Sequence, residues 1–316
     1  MKQELRIVFM GTPDFAVETL KTLVENQYTV VGVITAPDKP AGRGRKLQES
    51  AVKQYALQQG LNILQPTNLK SDTFISKLEA LQADLQIVVA FRMLPQAVWQ
   101  MPKLGTFNLH ASLLPDYRGA APINWAIING ESVTGVSTFF IDDKIDTGDM
   151  ILQEPVAIHP NETAGELHDR LMTLGSELVL KTVRLIENGN VRTQPQRDTS
   201  DLKTAYKLNR DNSKIDWTAQ TETIFNLIRG LSPYPAAWCI LENGEDVLDI
   251  KIYKASSRIE PHDLTVGAIC STKTSIAVAT QDGFIDILEM KLPGKRNMET
   301  KSLLNGYHFK ENAKML

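Results

Sequence analysis

Leu5-Arg6-Ile7-Val8-Phe9-Met10-Gly11-Thr12-Pro13 is a short, mostly apolar run closed by a glycine and a proline. A run of that length bounded by turn residues reads as a strand buried on both faces. From Asp14 to Val24 the period changes, and Phe15, Ala16, Leu20 and Leu23 recur at helical spacing. A second run follows, Val30-Val31-Gly32-Val33-Ile34, and the texture returns in Leu85-Gln86-Ile87-Val88-Val89-Ala90 and Thr106-Phe107-Asn108-Leu109. Short apolar strands alternating with helices predict an α/β fold, with a mainly parallel sheet covered by helices on both faces. Gly11-Thr12-Pro13 then lies at the carboxyl end of the first strand, where open α/β sheets place ligands. The same three residues also suit a plain strand-to-helix turn.

Further on, Thr163 and Glu166 have the spacing of a capping box. Leu167, Leu171, Leu174, Leu178 and Val179 continue it as an apolar helical stripe that Gly189 ends. Val191 to Ala205 is polar and reads as a linker. Beyond it, Ile215 to Leu231 carries one amphipathic helix with Ile224, Phe225, Leu227 and Ile228. Five strand candidates follow: Ala237 to Ile240, Val247 to Tyr253, Gly267 to Cys270, Ile276 to Thr280 and Phe284 to Lys291, with turn dipeptides Asn243-Gly244 and Asp282-Gly283. Short strands with frequent turns predict a small barrel. The expected organisation is a first domain over 1–189, a linker over 190–207 and a second domain over 208–316.

At 316 residues, 42% hydrophobic and 22% charged, the chain has ordinary globular composition and length for two domains. A net charge of only -3 means that a nucleic-acid partner has to be argued from local charge. Cys239 and Cys270 form no CxxC pair and the five His residues are scattered, so neither a zinc site nor a disulfide framework is expected. Both thiols are expected to be buried and reduced. Met1-Lys2-Gln3-Glu4 runs straight into the first strand without a leader-like apolar segment, and no stretch reaches the roughly 18 apolar residues of a membrane span. The expectation is a cytoplasmic protein. No GxGxxG follows the first strand and no GxxxxGK[ST] occurs, which leaves a dinucleotide or P-loop reading unsupported.

Asn108 and His110 stand two apart, so on an extended strand they share a face. That face offers an amide able to donate to an oxyanion and an imidazole that titrates near neutrality. The spacing equally suits two polar residues satisfied at a strand end. Asp146, in Ile145-Asp146-Thr147-Gly148-Asp149, follows Asp142-Asp143-Lys144, which reads as exposed. It is either part of an acidic surface loop or a carboxylate that orients His110, and the sequence alone does not bring the two together. Ser112 has no base spaced to activate it and reads as part of a pocket-shaping loop. The loop Ala36 to Leu47 carries Lys39, Arg43, Arg45 and Lys46, and a second cationic group, Lys291, Lys295, Arg296 and Lys301, surrounds Pro293-Gly294. Either suits contact with a phosphate backbone, and either also suits a solvated loop.

Taken together, these stretches resemble the methionyl-tRNA formyltransferase family along essentially the whole chain. Phe9-Met10-Gly11-Thr12-Pro13-Asp14-Phe15 is similar to the family's first strand and turn. Asn108, His110 and Ser112-Leu113-Leu114-Pro115, followed by Arg118-Gly119-Ala120-Ala121-Pro122, resemble its formyl-transfer signature. Asp146 in Asp-Thr-Gly matches its catalytic aspartate, and Leu292-Pro293-Gly294-Lys295 resembles its barrel motif. Pro37 to Arg45 is similar to the insertion that engages the tRNA acceptor end.

The resemblance implies a Rossmann-like formyltransferase domain with a mainly parallel sheet, then an OB-like tRNA-binding barrel. It implies 10-formyltetrahydrofolate as co-substrate without a metal, and initiator methionyl-tRNA as acceptor for a monomeric enzyme. Asn108, His110 and Asp146 would be catalytic. Phe91, Arg92, Met93 and Leu94, with Ser112 to Pro115, would line the folate site. Lys39, Arg43, Arg45, Lys46, Lys295 and Arg296 would meet tRNA. One stretch departs from the family pattern: Phe91-Arg92-Met93-Leu94-Pro95 runs one residue shorter than an aromatic and Gly before Leu-Ile-Leu-Pro. Two rival readings are a formyltransferase for a nucleotide-sugar amine, which needs no basic arm, and a tRNA-binding protein without chemistry, which needs no Asn-His-Asp set.

Overall fold

The computed structural model describes residues 4–41, 46–197 and 201–316. By contacts the chain divides into two compact units, one of 1–119, 135–156 and 168–204, the other of 120–134, 157–167 and 205–316.

The first unit is built on a seven-stranded sheet of β1 (Arg6–Gly11), β2 (Thr29–Ile34), β3 (Ile63–Leu64), β4 (Leu85–Val89), β5 (Thr106–His110), β6 (Val133–Phe140) and β7 (Met150–Ala157). Their spatial order is β7-β6-β5-β4-β1-β2-β3. β3, β2, β1, β4 and β5 pair in parallel, and β6 joins β5 antiparallel. The apolar runs predicted the central strands because these are covered on both faces: Ile7, Val8, Phe9 and Met10 are all fully buried. Each such side chain contributes about 1.5–3 kcal/mol by leaving water.

α1 (Asp14–Glu25), α2 (Ala51–Gln58) and α3 (Asp72–Glu79) connect the strands. Ser50 and Ser71 cap α2 and α3 by accepting from the backbone N–H of Lys53 and Phe74. Phe74 and Leu78 of α3 pack with Val8, Met10 and Val88. The long α4 (Ala164–Glu187) lies against the opposite face, where Thr182 meets Thr138 at 2.8 Å and Gly175 comes close to Leu109. The order of the strands reverses direction between β1 and β4, and ligands of open α/β sheets bind in the crevice beyond such a point. Gly11 stands at that place because a Cβ there would lie 2.6 Å from Ala16 Cβ.

In the second unit, α5 (Thr221–Leu231) packs on a meander of β8 (Ala237–Asn243), β9 (Asp246–Ile259), β10 (Ile269–Ser271), β11 (Ile276–Ala279), β12 (Gly283–Lys291) and β13 (Lys314–Met315). The order β10-β11-β12-β9-β8-β13 closes through a bridge from Ala268 to Lys314, which gives a nearly closed, OB-like barrel. Ile224, Ile228 and Leu231 of α5 join Cys239, Ile250, Ile252, Val278 and Ile285 in its core. The helix expected from Ile215 onward begins only at Thr221, because Asp216 binds the backbone and hydroxyl of Thr218 in a local turn instead.

The expectation of two buried thiols holds for Cys239 alone, whose pKa burial pushes up to about 12. Cys270 is exposed. It pairs with Ala277, and the neighbours Ile276 and Val278 already fill the barrel core, so the pleat turns Cys270 outward. Among the described residues no helix is long and apolar enough to cross a membrane.

Candidate active site

Three elements end at one edge of the first sheet: β1 at Gly11, β4 at Val89 and β5 at His110. Register sets Gly11 beside Val89 and Asn108 beside Val88. Along β5, Phe107 and Leu109 alternate with Asn108 and His110, so the last two share the face opposite α4. Asn108 is half-buried, and among the described residues its amide has no hydrogen-bond partner.

His110 is 7% exposed, and its two ring nitrogens meet different groups. Nε2 lies 2.8 Å from the carbonyl oxygen of Tyr117. A carbonyl only accepts, so this contact requires a proton on Nε2. Nδ1 faces Oδ2 of Asp146 at 3.8 Å, beyond hydrogen-bond length. Oδ2 itself accepts from the backbone N–H of Gly119 at 2.9 Å. Nδ1 is therefore the nitrogen left to gain or lose a proton, and a carboxylate stands in front of it.

Backbone strain gathers at this edge. Ala90 (φ 47°), Tyr117 (φ 61°) and Asp146 (φ 54°) occupy the left-handed region without being glycine. Such a residue costs about 1–2 kcal/mol, comparable with one or two net hydrogen bonds. The neighbourhood supplies those bonds. The Tyr117 N–H donates to the Lys203 carbonyl at 2.6 Å. Around Asp146, Asp142 accepts from Lys144 N–H and the Thr147 hydroxyl, while Gln196 Nε2 donates to the carbonyls of Asp146 and Gly148. Asp142, expected to be exposed, is half-buried because its carboxylate folds back into this turn. Gly148 is required, since a Cβ there would fall 1.7 Å from the Phe140 carbonyl oxygen.

Ser112 is fully buried, and its hydroxyl donates to the Asp116 carbonyl at 2.7 Å. Ser137 binds the Ser112 carbonyl and receives the N–H of Leu114, and Gln153 binds the Leu114 carbonyl. Ser112, Leu113, Leu114 and Pro115 are thus held as a fixed wall beside His110. Phe91, Arg92, Met93 and Leu94 leave the end of β4; Leu94 is buried while Arg92 and Met93 are exposed. Arg92 donates to the backbone carbonyls of Pro66 and Thr67. Those bonds direct its guanidinium at the segment after β3.

Of the cations, Lys39 is exposed on the strand Lys39–Ala41, which pairs with Lys46–Gln48. Arg43 and Arg45 lie outside the described residues, and Lys46 is described in its backbone only. The root of this hairpin is anchored: Asp38 meets Lys53 Nζ at 2.5 Å and Gln65 Nε2 at 2.8 Å. Those contacts hold the Asp38 carboxyl below the usual carboxylate range. In the second unit Lys295 and Arg296 are exposed in the turn after β12, where Gly294 has φ 72°.

Gln196 was missed in the sequence, where it is one polar residue in a polar stretch. Its partners are 48 to 78 residues away, and no local spacing marks such a contact.

Comparison with known proteins follows the same division. Residues 5–183 match the Formyl transferase family and residues 207–308 match Formyl transferase, C-terminal domain. The methionyl-tRNA formyltransferase of Flavobacterium johnsoniae is 62% identical over 313 residues, 99% of each chain. That of Bacteroides thetaiotaomicron is 52% identical over 319 residues, again 99% of each. Among solved structures, the N-formyltransferase from Helicobacter canadensis shares the fold with a TM-score of 0.65 at 22% identity, over 90% of this chain and 98% of that one. With two matched domains and identities of this size over the full length, the chain belongs to the methionyl-tRNA formyltransferase family.

Proposed function

We propose that the chain transfers the formyl group of 10-formyltetrahydrofolate to the α-amino group of methionine carried by initiator tRNA. The observation that carries this reading is the His110 ring, with Nε2 engaged by the Tyr117 carbonyl and Nδ1 open toward Asp146.

The amine attacks the formyl carbon, a new C–N bond forms, and the carbonyl oxygen becomes an oxyanion. The unpartnered amide of Asn108 is placed to donate to it, and so is Nδ1–H of the charged ring. Collapse breaks the bond to N10 of the donor, which leaves as tetrahydrofolate. The proton lost by the attacking amine balances the one that N10 takes up. Asp146 and Nδ1 of His110 are the groups at hand to carry it. In this reading the donor lies across the ends of β1, β4 and β5, against Phe91 to Leu94 and the wall Ser112 to Pro115. The cations Lys39, Arg43, Arg45 and Lys46, with Lys295 and Arg296, supply phosphate contacts for tRNA. The same reading assigns catalysis to 1–189, connection to 190–207 and tRNA contact to 208–316. The acceptor is narrowed to tRNA by full-length relatives that carry that name.

The test is formylation of Met-tRNA by purified protein supplied with 10-formyltetrahydrofolate. Fast transfer that favours initiator over elongator tRNA is the expected result. A folded protein that consumes donor with a small amine and ignores both tRNAs would overturn the assignment of the acceptor.

A further inference from the structure

The polar stretch after α4 bonds into the loops that flank His110. Gln194 exchanges backbone hydrogen bonds with Met150 at 2.8 and 2.9 Å. The Lys203 N–H donates to Asp116 Oδ1 at 3.0 Å. Between them stands Gln196. Its Oε1 accepts from Nε and Nη2 of Arg118 at 3.1 and 2.8 Å. Its Nε2 donates to the carbonyls of Asp146 and Gly148 at 3.0 and 2.8 Å. Both lone pairs and both hydrogens of the amide are thereby used. The reverse orientation would set NH2 against a guanidinium and oxygen against two carbonyls, so the network fixes which way the amide points.

We propose that Gln196 is a positioning residue for formyl transfer: it grips the Asp146 turn by its backbone and so keeps Oδ2 of Asp146 in front of Nδ1 of His110. The inference rests on the roles given above to His110 and Asp146. Asp142 closes the turn through Lys144 N–H and the Thr147 hydroxyl, and Gln196 joins that turn to the loop of Gly119. Asp146 is in the left-handed region, and Gly148 has no side chain. The carbonyls of Asp146 and Gly148 are bound to one amide nitrogen, and the oxygen of the same amide is held by Arg118, next to the Gly119 N–H that holds Oδ2. One amide thus ties the loop that presents the carboxylate to the loop that receives it. A plain staple for the connecting segment would have no need to choose those carbonyls.

The decisive variant is Gln196→Glu in the full-length protein. It keeps the length and the contact with Arg118, but sets an acceptor against two acceptors. Formylation of Met-tRNA should lose about a hundredfold in kcat, the scale of an ångström-sized misplacement. KM for donor and tRNA should stay within about threefold. Gln196→Met, which keeps length and removes all four hydrogen bonds, should behave alike. In the background of Asp146→Asn the loss should vanish, because the group being positioned is already gone. Turnover near normal in both Gln196 variants, a loss that multiplies with that of Asp146→Asn, or unfolding of both variants would each overturn the inference. Near-normal turnover in Asp146→Asn alone would instead overturn the reading of the site itself.

Discussion

The carbonyl oxygen of Tyr117 and Nε2 of His110 are 2.8 Å apart, and the tyrosine that presents this oxygen sits at φ 61°. A bulky residue held in that region marks a conformation that the surroundings over-determine. Here it is fastened through the Tyr117 N–H to the Lys203 carbonyl. The chain thus bends against its preference to put a pure acceptor on one side of an imidazole. The tautomer follows, and with it which ring nitrogen is left facing Asp146.

Nitrogen-15 spectra of the histidine ring test this directly. In the neutral ring the proton should sit on Nε2, facing the Tyr117 carbonyl, and Nδ1 should be bare. His110→Gln, whose amide can still reach the Tyr117 carbonyl, should fold normally and lose about 10²–10⁴ in kcat, the usual worth of a positioned acid or base. A neutral ring protonated at Nδ1, or a Gln variant of near-normal turnover, would remove His110 from the mechanism as drawn.

Charge and conformation at Asp146 can be separated. Asparagine also tolerates the left-handed region and can accept from Gly119 N–H through its carbonyl oxygen. Asp146→Asn should therefore stay within about 1 kcal/mol of the parent in stability while losing about a hundredfold or more in turnover. Asp146→Val, β-branched at φ 54°, should lose both turnover and several degrees of Tm. Thermal melts and kcat on the two variants decide the matter. Equal destabilisation by Asn and Val would mean that the carboxylate itself holds the turn.

Much of the first unit could be read from period and turn residues alone, because its central strands are buried on both faces and its helices on one. β1, β2, β4 and β5 announce themselves as apolar runs, and Thr163 with Glu166 marks the start of α4 from two side chains. β6 and β7 were silent. Ser137 and Thr138 interrupt the apolar pattern of β6 because they bond to Ser112 and Thr182, and Gly135 leaves room for the Glu154 carbonyl. At the site the same limit applies. Asn108 and His110 share a strand, so their relation is local and legible. Asp146 lies 36 positions beyond His110 in the sequence and Gln196 lies further still; only the folded chain brings them together. Cys270 misled for a related reason: which side of the pleat it takes depends on its partner Ala277, not on its own sequence.

The cap of α4 carries a pH-dependent part of stability. Thr163 Oγ1 accepts from the Glu166 N–H, and the Glu166 carboxylate accepts from the Thr163 N–H and hydroxyl. Thr163→Ala should cost about 1 kcal/mol in denaturant unfolding at neutral pH. The backbone N–H of Thr163, then its hydroxyl, hold the Glu166 carboxyl below its usual value. A depressed folded-state value stabilises above the unfolded pKa and is lost as pH falls through the folded one. The stability gap between the parent and Glu166→Gln should thus be full at pH 7 and close below about pH 4. A gap that widens in acid would show that the carboxylate is not what holds the cap.

Phosphate contact by the basic hairpin predicts a salt signature. Asp38, bound to Lys53 and Gln65, fixes the root, and Lys53 is further engaged by Glu49, so Lys53 is not available to a ligand. In the proposed function the cations assigned to tRNA are Lys39, Arg43, Arg45 and Lys46. Each lost phosphate contact should lower the slope of log K against log salt by about one unit. Arg43→Ala should therefore raise KM for Met-tRNA at moderate salt and flatten its salt dependence. It should leave any slow hydrolysis of donor in the absence of tRNA unchanged, because that reaction needs only the His110 edge of the sheet. Lys295→Ala applies the same test to the turn after β12. Fluorescence titration of tRNA at several salt concentrations, run beside the hydrolysis assay, reads both effects. An unchanged slope, or a parallel fall in donor hydrolysis, would take the hairpin out of tRNA recognition and place Arg43 in the folate site instead.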